Sequence, residues 1–163
     1  TKEPTSTSLG SFIRSHHEQY TSKSLAALVA ADRYDHLEKT ILPDLQAGRT
    51  VITDRYMASS LVYQLLDGLT LDFVMKLNSE IVLPELYFLL FGEEQEIKTR
   101  LNTRGSLTRF EQNNQLQNEL VLFEEAGDYL KSWGVNVVRI NNTEQSIETT
   151  ITLIMNEITK LGK

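Results

Sequence analysis

Residues 48–64 read Gly48-Arg49-Thr50-Val51-Ile52-Thr53-Asp54-Arg55-Tyr56-Met57-Ala58-Ser59-Ser60-Leu61-Val62-Tyr63-Gln64, and this stretch decides the fold class. The short apolar run Val51-Ile52-Thr53 reads as a strand that delivers Asp54 and Arg55 at its carboxyl end. Ser59 and Ser60 follow, and then Leu61, Val62, Leu65 and Leu66 fall at helical spacing. A strand that ends in charged groups and becomes a helix is where open parallel sheets bind ligands. Arg55 suits phosphate, because its planar fork donates in parallel and stays charged. Asp54 beside it can hold a cation or a water. A surface ion pair after a strand accounts for the same two residues, so the remaining chain must decide.

Upstream, Lys2-Glu3-Pro4 leads into a Thr/Ser cluster that offers N-caps to a helix carrying Leu9, Phe12 and Ile13 toward a core, with Arg14 on its flank. His16 and His17 are adjacent, so on a helix they diverge and read as solvated groups, not a metal site. A long helix is expected over 21–48, rich in Ala, with Pro43 starting a second segment and Gly48 ending it. Arg33 on that helix is either a snorkelling surface group or a member of the Asp54-Arg55 crevice.

Downstream, Leu71, Val74, Leu77, Ile81 and Val82 mark a helix that Pro84 stops. Leu86-Tyr87-Phe88-Leu89-Leu90-Phe91 is a continuous apolar run, as expected of a strand buried on both faces of a parallel sheet. A helical pattern over 93–103 carries Arg100 and leads into Arg104 and Arg109 around Gly105. Three arginines about a Gly hinge read either as a basic loop that closes over phosphates or as a solvated helix end. An amphipathic helix over 113–132, a strand over 135–140 and a terminal helix with Ile147, Ile151, Ile154 and Ile158 complete the chain.

The pattern is α/β, with a parallel sheet flanked by helices in three layers. Three strands serve six or seven helices, and the chain opens on Thr1 as if leaving a strand. A preceding β–α–β unit, carrying the missing N-terminal strands, is therefore expected. The 163 residues form a single domain (1–163) in this reading, with a mobile segment around 100–112. A net charge of −6 argues against general nucleic-acid or membrane-surface binding. There is no cysteine, hence no disulfide framework and no thiolate chemistry. No apolar run approaches a membrane span and no signal peptide is visible, so a cytoplasmic location is expected.

Several strings together carry a family resemblance. They are Lys2-Glu3-Pro4 with Ile13-Arg14; Ala30-Ala31-Asp32-Arg33 with His36-Leu37-Glu38; and Ile41-Leu42-Pro43. Asp54-Arg55-Tyr56, Ser59-Ser60, Tyr63-Gln64 and Arg104-Gly105 with Arg109-Phe110-Glu111 complete the set. From about residue 2 to residue 158 the chain resembles a thymidylate kinase, a nucleoside monophosphate kinase of the P-loop NTPase fold. The resemblance implies transfer of the γ-phosphoryl group of ATP to dTMP, with Mg2+, by a homodimer. A non-catalytic nucleotide-binding module of the same fold and a kinase for another acceptor are the rival readings.

On that template Arg14 and Arg55 would clamp the acceptor phosphate, and Arg33 would meet the thymine edge with Ser60 and Gln64. Tyr63 would lie beside the deoxyribose, and Glu3 near the acceptor sugar and phosphate. Asp54 would sit by the magnesium or its water shell, while Arg100, Arg104 and Arg109 would meet the donor phosphates. The G-x-x-x-x-G-K-[ST] phosphate loop is absent from these residues and is expected upstream. Thr5-Ser6 stand where such kinases usually carry Gly-Gly, and Val29 stands where they usually carry a Phe.

Overall fold

The computed structural model describes residues 1–103 and 116–161, and the chain divides into two compact units, Thr1–Leu83 and Pro84–Lys163. The first unit is helical. Helix α1 (Ser8–His16) starts where the Thr7 side chain accepts from the Gly10 backbone N–H, the cap expected of the Thr/Ser cluster. It buries Ile13, but Phe12 stays outside and stacks on His16 at 4.4 Å between ring centroids. Both neighbouring histidines bond to backbone oxygens, His16 to that of Phe12 and His17 to that of Arg14.

Helix α2 (Ser22–His36) turns Leu25, Ala26, Ala30, Asp32, Arg33 and His36 inward. A π-helical turn, Leu37–Ile41, joins it to α3 (Leu42–Gln46). Pro43 has no N–H to return to the preceding turn, and this accounts for a widened coil at that point. Helix α4 (Met57–Leu66) buries Met57, Ala58, Leu61 and Val62 within the unit, so its apolar face is core.

Two expectations change here. Residues 51–53 form no strand; the backbone of Ile52 and of the following Asp54 is tied to the chain's first residues. Thr1 N donates to Ile52 O (2.8 Å), Asp54 N to Thr1 O (2.9 Å) and Glu3 N to Asp54 O (3.0 Å). A single parallel bridge, Lys2 to Asp54, results. The helix expected over 71–82 stops earlier, as α5 (Leu71–Leu77). Asn78 at its end donates to Val74 O (2.8 Å) while its side-chain oxygen is claimed by Arg33.

In the second unit β1 (Leu86–Phe91) and β2 (Asn136–Asn141) pair in parallel, from Leu86 opposite Asn136 to Phe91 opposite Asn141. Helix α6 (Glu94–Thr103) follows β1, α7 (Leu116–Ser132) lies on both strands, and α8 (Ile147–Leu161) closes the unit. Arg139 of β2 holds α7 through Glu124 (2.8 Å) and Asp128 (2.7 Å).

The expectation of a strand buried on both faces is not met: Leu89 is buried, whereas Leu90 is 48% exposed. Helix α8 leaves Ile147, Ile151 and Met155 exposed, while Ile154 and Ile158 are half-buried. Two strands about 4.8 Å apart span little more than the ~10 Å width of one helix, so α7 uses up the face it covers. Among the described residues no helix is long and apolar enough to cross a membrane.

Burial pushes the half-buried Tyr87 hydroxyl of β1 up to about 12. The unfolded chain releases this proton near pH ~10, before the folded chain does. Stability from this group is therefore complete below pH ~10 and falls as pH rises toward the folded value, by about 1.4 kcal/mol per pH unit. Urea unfolding at pH 9 and pH 11 should show that loss, and Tyr87→Phe should reduce its slope by one proton's share. An unchanged slope in the variant would assign the alkaline loss to other groups.

Candidate functional site

The site grows from the first seven residues, which lie against α2 and the turn after Thr53. Glu3 is 6% exposed and Arg33 1% exposed. Arg33 Nε donates to Glu3 Oε2 at 2.9 Å. Its Nη1 donates to Asn78 Oδ1 at 2.5 Å and faces the Met57 sulfur at 4.0 Å, and its Nη2 donates to Tyr56 O at 3.3 Å. Its guanidinium also lies 5.3 Å from the centre of the Tyr56 ring. Four of its five donors are thus committed to the protein. The snorkelling alternative fails, because Arg33 is an internal tie between α2, α5, the 2–5 segment and the start of α4.

The second Glu3 oxygen meets His36 Nδ1 at 3.2 Å, and His36 Nε2 meets Thr1 Oγ1 at 2.8 Å. A carboxylate only accepts, so Nδ1 carries the proton that faces Glu3. Tyr56 donates its hydroxyl to Val82 O at 2.9 Å. Burial, reinforced by the Glu3 carboxylate and opposed by Arg33, raises the Tyr56 hydroxyl well above its ordinary value.

The other expected residues join the same segment. Glu3 N bonds to the Asp54 carbonyl, which leaves the Asp54 carboxylate exposed at the carboxyl end of 51–54. Arg55 has a φ of +67°, the left-handed region that a non-glycine residue enters at a cost of about 1–3 kcal/mol and that clusters at functional sites. Its guanidinium lies 5.3 Å from the centre of the Tyr63 ring. Arg14 is exposed, with Nη1 donating to Pro4 O (2.6 Å) and to Thr5 O, and Nη2 to Ser11 Oγ (3.0 Å). Arg14 and Arg33 therefore both attach to residues 3–5, and Arg55 follows the residue that pairs with them.

A cleft of about 640 Å³ opens beside this segment, lined by Lys2, Thr5, Ser6, His36, Lys39 and Asp54 among others. Lys39 is held by Asp35, whose carboxylate raises its pKa. On α4, Ser60 and Gln64 lie one turn apart and are both buried. Gln64 Oε1 is a buried acceptor with no hydrogen-bond partner, which among the described residues it shares only with Gln145 Oε1 of the second unit.

In the second unit, Arg100 donates to Glu96 Oε1 (2.9 Å) and to Asn142 O (3.0 Å). Arg104, Arg109 and most of the segment around 100–112 lie outside the described residues. Sequence reasoning gave no role to Asp32, His36, Lys39 or Asn78. The first two stood inside the resemblance strings, but Asn78 offered no signal, since its partner is 45 residues away.

Among known proteins, the family model described as "Thymidylate kinase" matches residues 1–154. A probable thymidylate kinase of Pyrococcus abyssi is 36% identical over 157 residues, spanning 91% of this chain and 74% of the relative. One from Thermococcus gammatolerans is 36% identical over 160 residues, with the same two coverages. Among solved structures, a thymidylate kinase from Candida albicans superposes with a TM-score of 0.73 at 19% identity. It covers 99% of this chain and 79% of that one. One from Ehrlichia chaffeensis gives 0.66 at 21% identity, with the same coverages.

The weight of the buried pair is measurable. Arg33→Met strands the Glu3 carboxylate without its cation and should lower the unfolding free energy by about 3–5 kcal/mol in urea titrations. Arg49→Met, which removes the exposed pair with Asp44, should change it by less than about 1 kcal/mol. Equal losses would mean that burial does not set the strength of the Glu3–Arg33 contact.

Proposed function

We propose that this chain, which belongs to the thymidylate kinase family, binds dTMP against Glu3, Arg14 and α4 and directs the γ-phosphoryl group of ATP onto its phosphate, giving dTDP. The observation that carries this reading is the common attachment of Arg14, Arg33 and the Asp54-Arg55 turn to residues 3–5. Phosphoryl transfer asks a protein mainly for positioning and for charge stabilisation. Arg14 and Arg55 supply the charge for the acceptor phosphate. Tyr63, already under the Arg55 guanidinium, lies beside the sugar. Ser60 and the unpaired Gln64 oxygen face the base, whose one N–H offers a donor, and Arg33 has one N–H left for a carbonyl on its edge. Glu3 orients Arg33 from behind and lies near the acceptor sugar and phosphate.

The family works with Mg2+, and the chain's chemistry fits that ion. Among the described residues no group of three His, Asp or Glu side chains forms a closed metal cage. Magnesium characteristically keeps several waters and takes one or two carboxylates plus substrate phosphates. The exposed Asp54 carboxylate suits that part, directly or through a water, and the ion would neutralise charge on the phosphates. Arg100, Arg104 and Arg109 meet the donor side. The protein acts in the cytoplasm as a homodimer in this reading.

A coupled assay of ADP release with ATP, Mg2+ and equal concentrations of dTMP, dUMP or dGMP tests the proposal. Turnover should be greatest with dTMP, and Arg55→Ala should lower kcat/KM by at least about a hundredfold, the scale of losing one preorganised charge donor. Preference for another nucleotide would retire the dTMP assignment. Binding of dTMP without turnover would identify a non-catalytic module instead.

A further inference from the structure

Asp32 is 1% exposed, and both of its oxygens are spent on one residue. Thr5 N donates to Oδ2 at 2.7 Å and the Thr5 hydroxyl donates to Oδ1 at 2.6 Å. Because a carboxylate cannot donate, the directions of the neighbouring bonds follow. The Thr7 hydroxyl donates to Thr5 Oγ1 (2.7 Å), and Thr7 Oγ1 accepts from Gly10 N (3.3 Å) at the start of α1. Gly10 lies directly under the Thr5 carbonyl: a Cβ built there would fall 2.1 Å from that oxygen. The same carbonyl, with that of Pro4, receives both Nη1 hydrogens of Arg14. Among the described residues Arg14 then has Nε–H and one Nη2–H left over, enough for a two-point grip on a phosphate.

From this relay we infer that Thr5 and Asp32 are positioning residues for the acceptor phosphate, acting through the Thr5 carbonyl on Arg14. The inference rests on the dTMP reading above and names a part of that site which has no contact with the nucleotide. A glycine at position 5 could keep the N–H bond to Asp32, but only a hydroxyl makes the second bond. That second bond fixes the rotation of the Thr5 peptide, and with it the carbonyl to which Arg14 is anchored. Entropy that a looser loop would lose on binding is lost already on folding.

Calorimetric titration of the chain with dTMP and, separately, with thymidine distinguishes positioning from general support, because thymidine lacks the phosphate. Thr5→Val preserves the shape and the backbone bond but removes the hydroxyl. It should weaken dTMP binding at least about tenfold, the scale of one hydrogen bond to a charged group. Thymidine binding should stay within about twofold of the wild type. Thr5→Ser should restore dTMP affinity, and Asp32→Asn should behave as Thr5→Val does. The inference is overturned if Thr5→Val binds dTMP as tightly as the wild type. It is equally overturned if that variant loses dTMP and thymidine in the same proportion, which is what a merely structural role produces. A wild-type chain that binds neither compound overturns the dTMP reading itself, an outcome separable from both.

Discussion

The buried contact between Glu3 and Arg33 is the constraint on which the first unit depends. Removing two charges from water costs several kcal/mol per ion, and the cost is offset only when each remaining donor and acceptor finds a partner. Here Glu3 adds His36, and Arg33 adds Asn78 and the Tyr56 carbonyl. A polar group in a low-dielectric interior is as costly when unpaired as it is useful when paired. The network thus dictates where α5 ends, where the chain before α4 passes, and how closely residues 2–5 approach α2.

That dictation shapes the site. Residues 1–7 have no regular structure of their own, yet they are held by backbone pairing to Asp54, by Glu3 to α2, by Thr5 to Asp32 and by Arg14 from α1. Each tie comes from a different element, so the segment cannot shift without breaking several at once. Arg55, in its left-handed conformation, sits between two anchored residues, Asp54 and Tyr56, which offset its strain. A rigid scaffold that carries exposed arginines is what positioning chemistry needs, because electrostatic stabilisation is strongest when the groups are preset. The second unit is built differently. Its two strands and α7 make a small α/β layer whose apolar supply exceeds the area available to cover it, as Leu90 and the outer face of α8 show.

Much of this was legible in the residues. The 86–91 and 135–140 strands, an N-cap from the Thr/Ser cluster before the first helix, the helix stop at Gly48 and the amphipathic 113–132 segment follow from local rules of periodicity, capping and glycine conformation. The two strands and the cap were found as read, the strands within one residue at their ends. The site was legible as a set of residue types, because Asp54, Arg55 and Tyr63 declare phosphate chemistry by composition and order. Burial was not legible. Arg33 on an Ala-rich helix could equally have pointed to solvent, and Phe12 at a core spacing ended up stacked on His16 outside the core. Residues 51–53 have strand composition, but a strand exists only where a neighbour supplies a ladder, and here that neighbour amounts to one bridge.

By itself, the sequence determined most of the helices, the two strands that pair, the absence of cysteine, and the family to which the arginines and their spacing belong. Those properties depend on side chains a few positions apart, whose interactions any local reading can trace. Tertiary structure alone decided which charges are structural and which face outward. Glu3 and Arg33 are separated by 30 residues, Arg33 and Asn78 by 45, and Thr5 and Asp32 by 27. Desolvation acts on a group only once distant segments have closed around it, so no window of sequence contains the information.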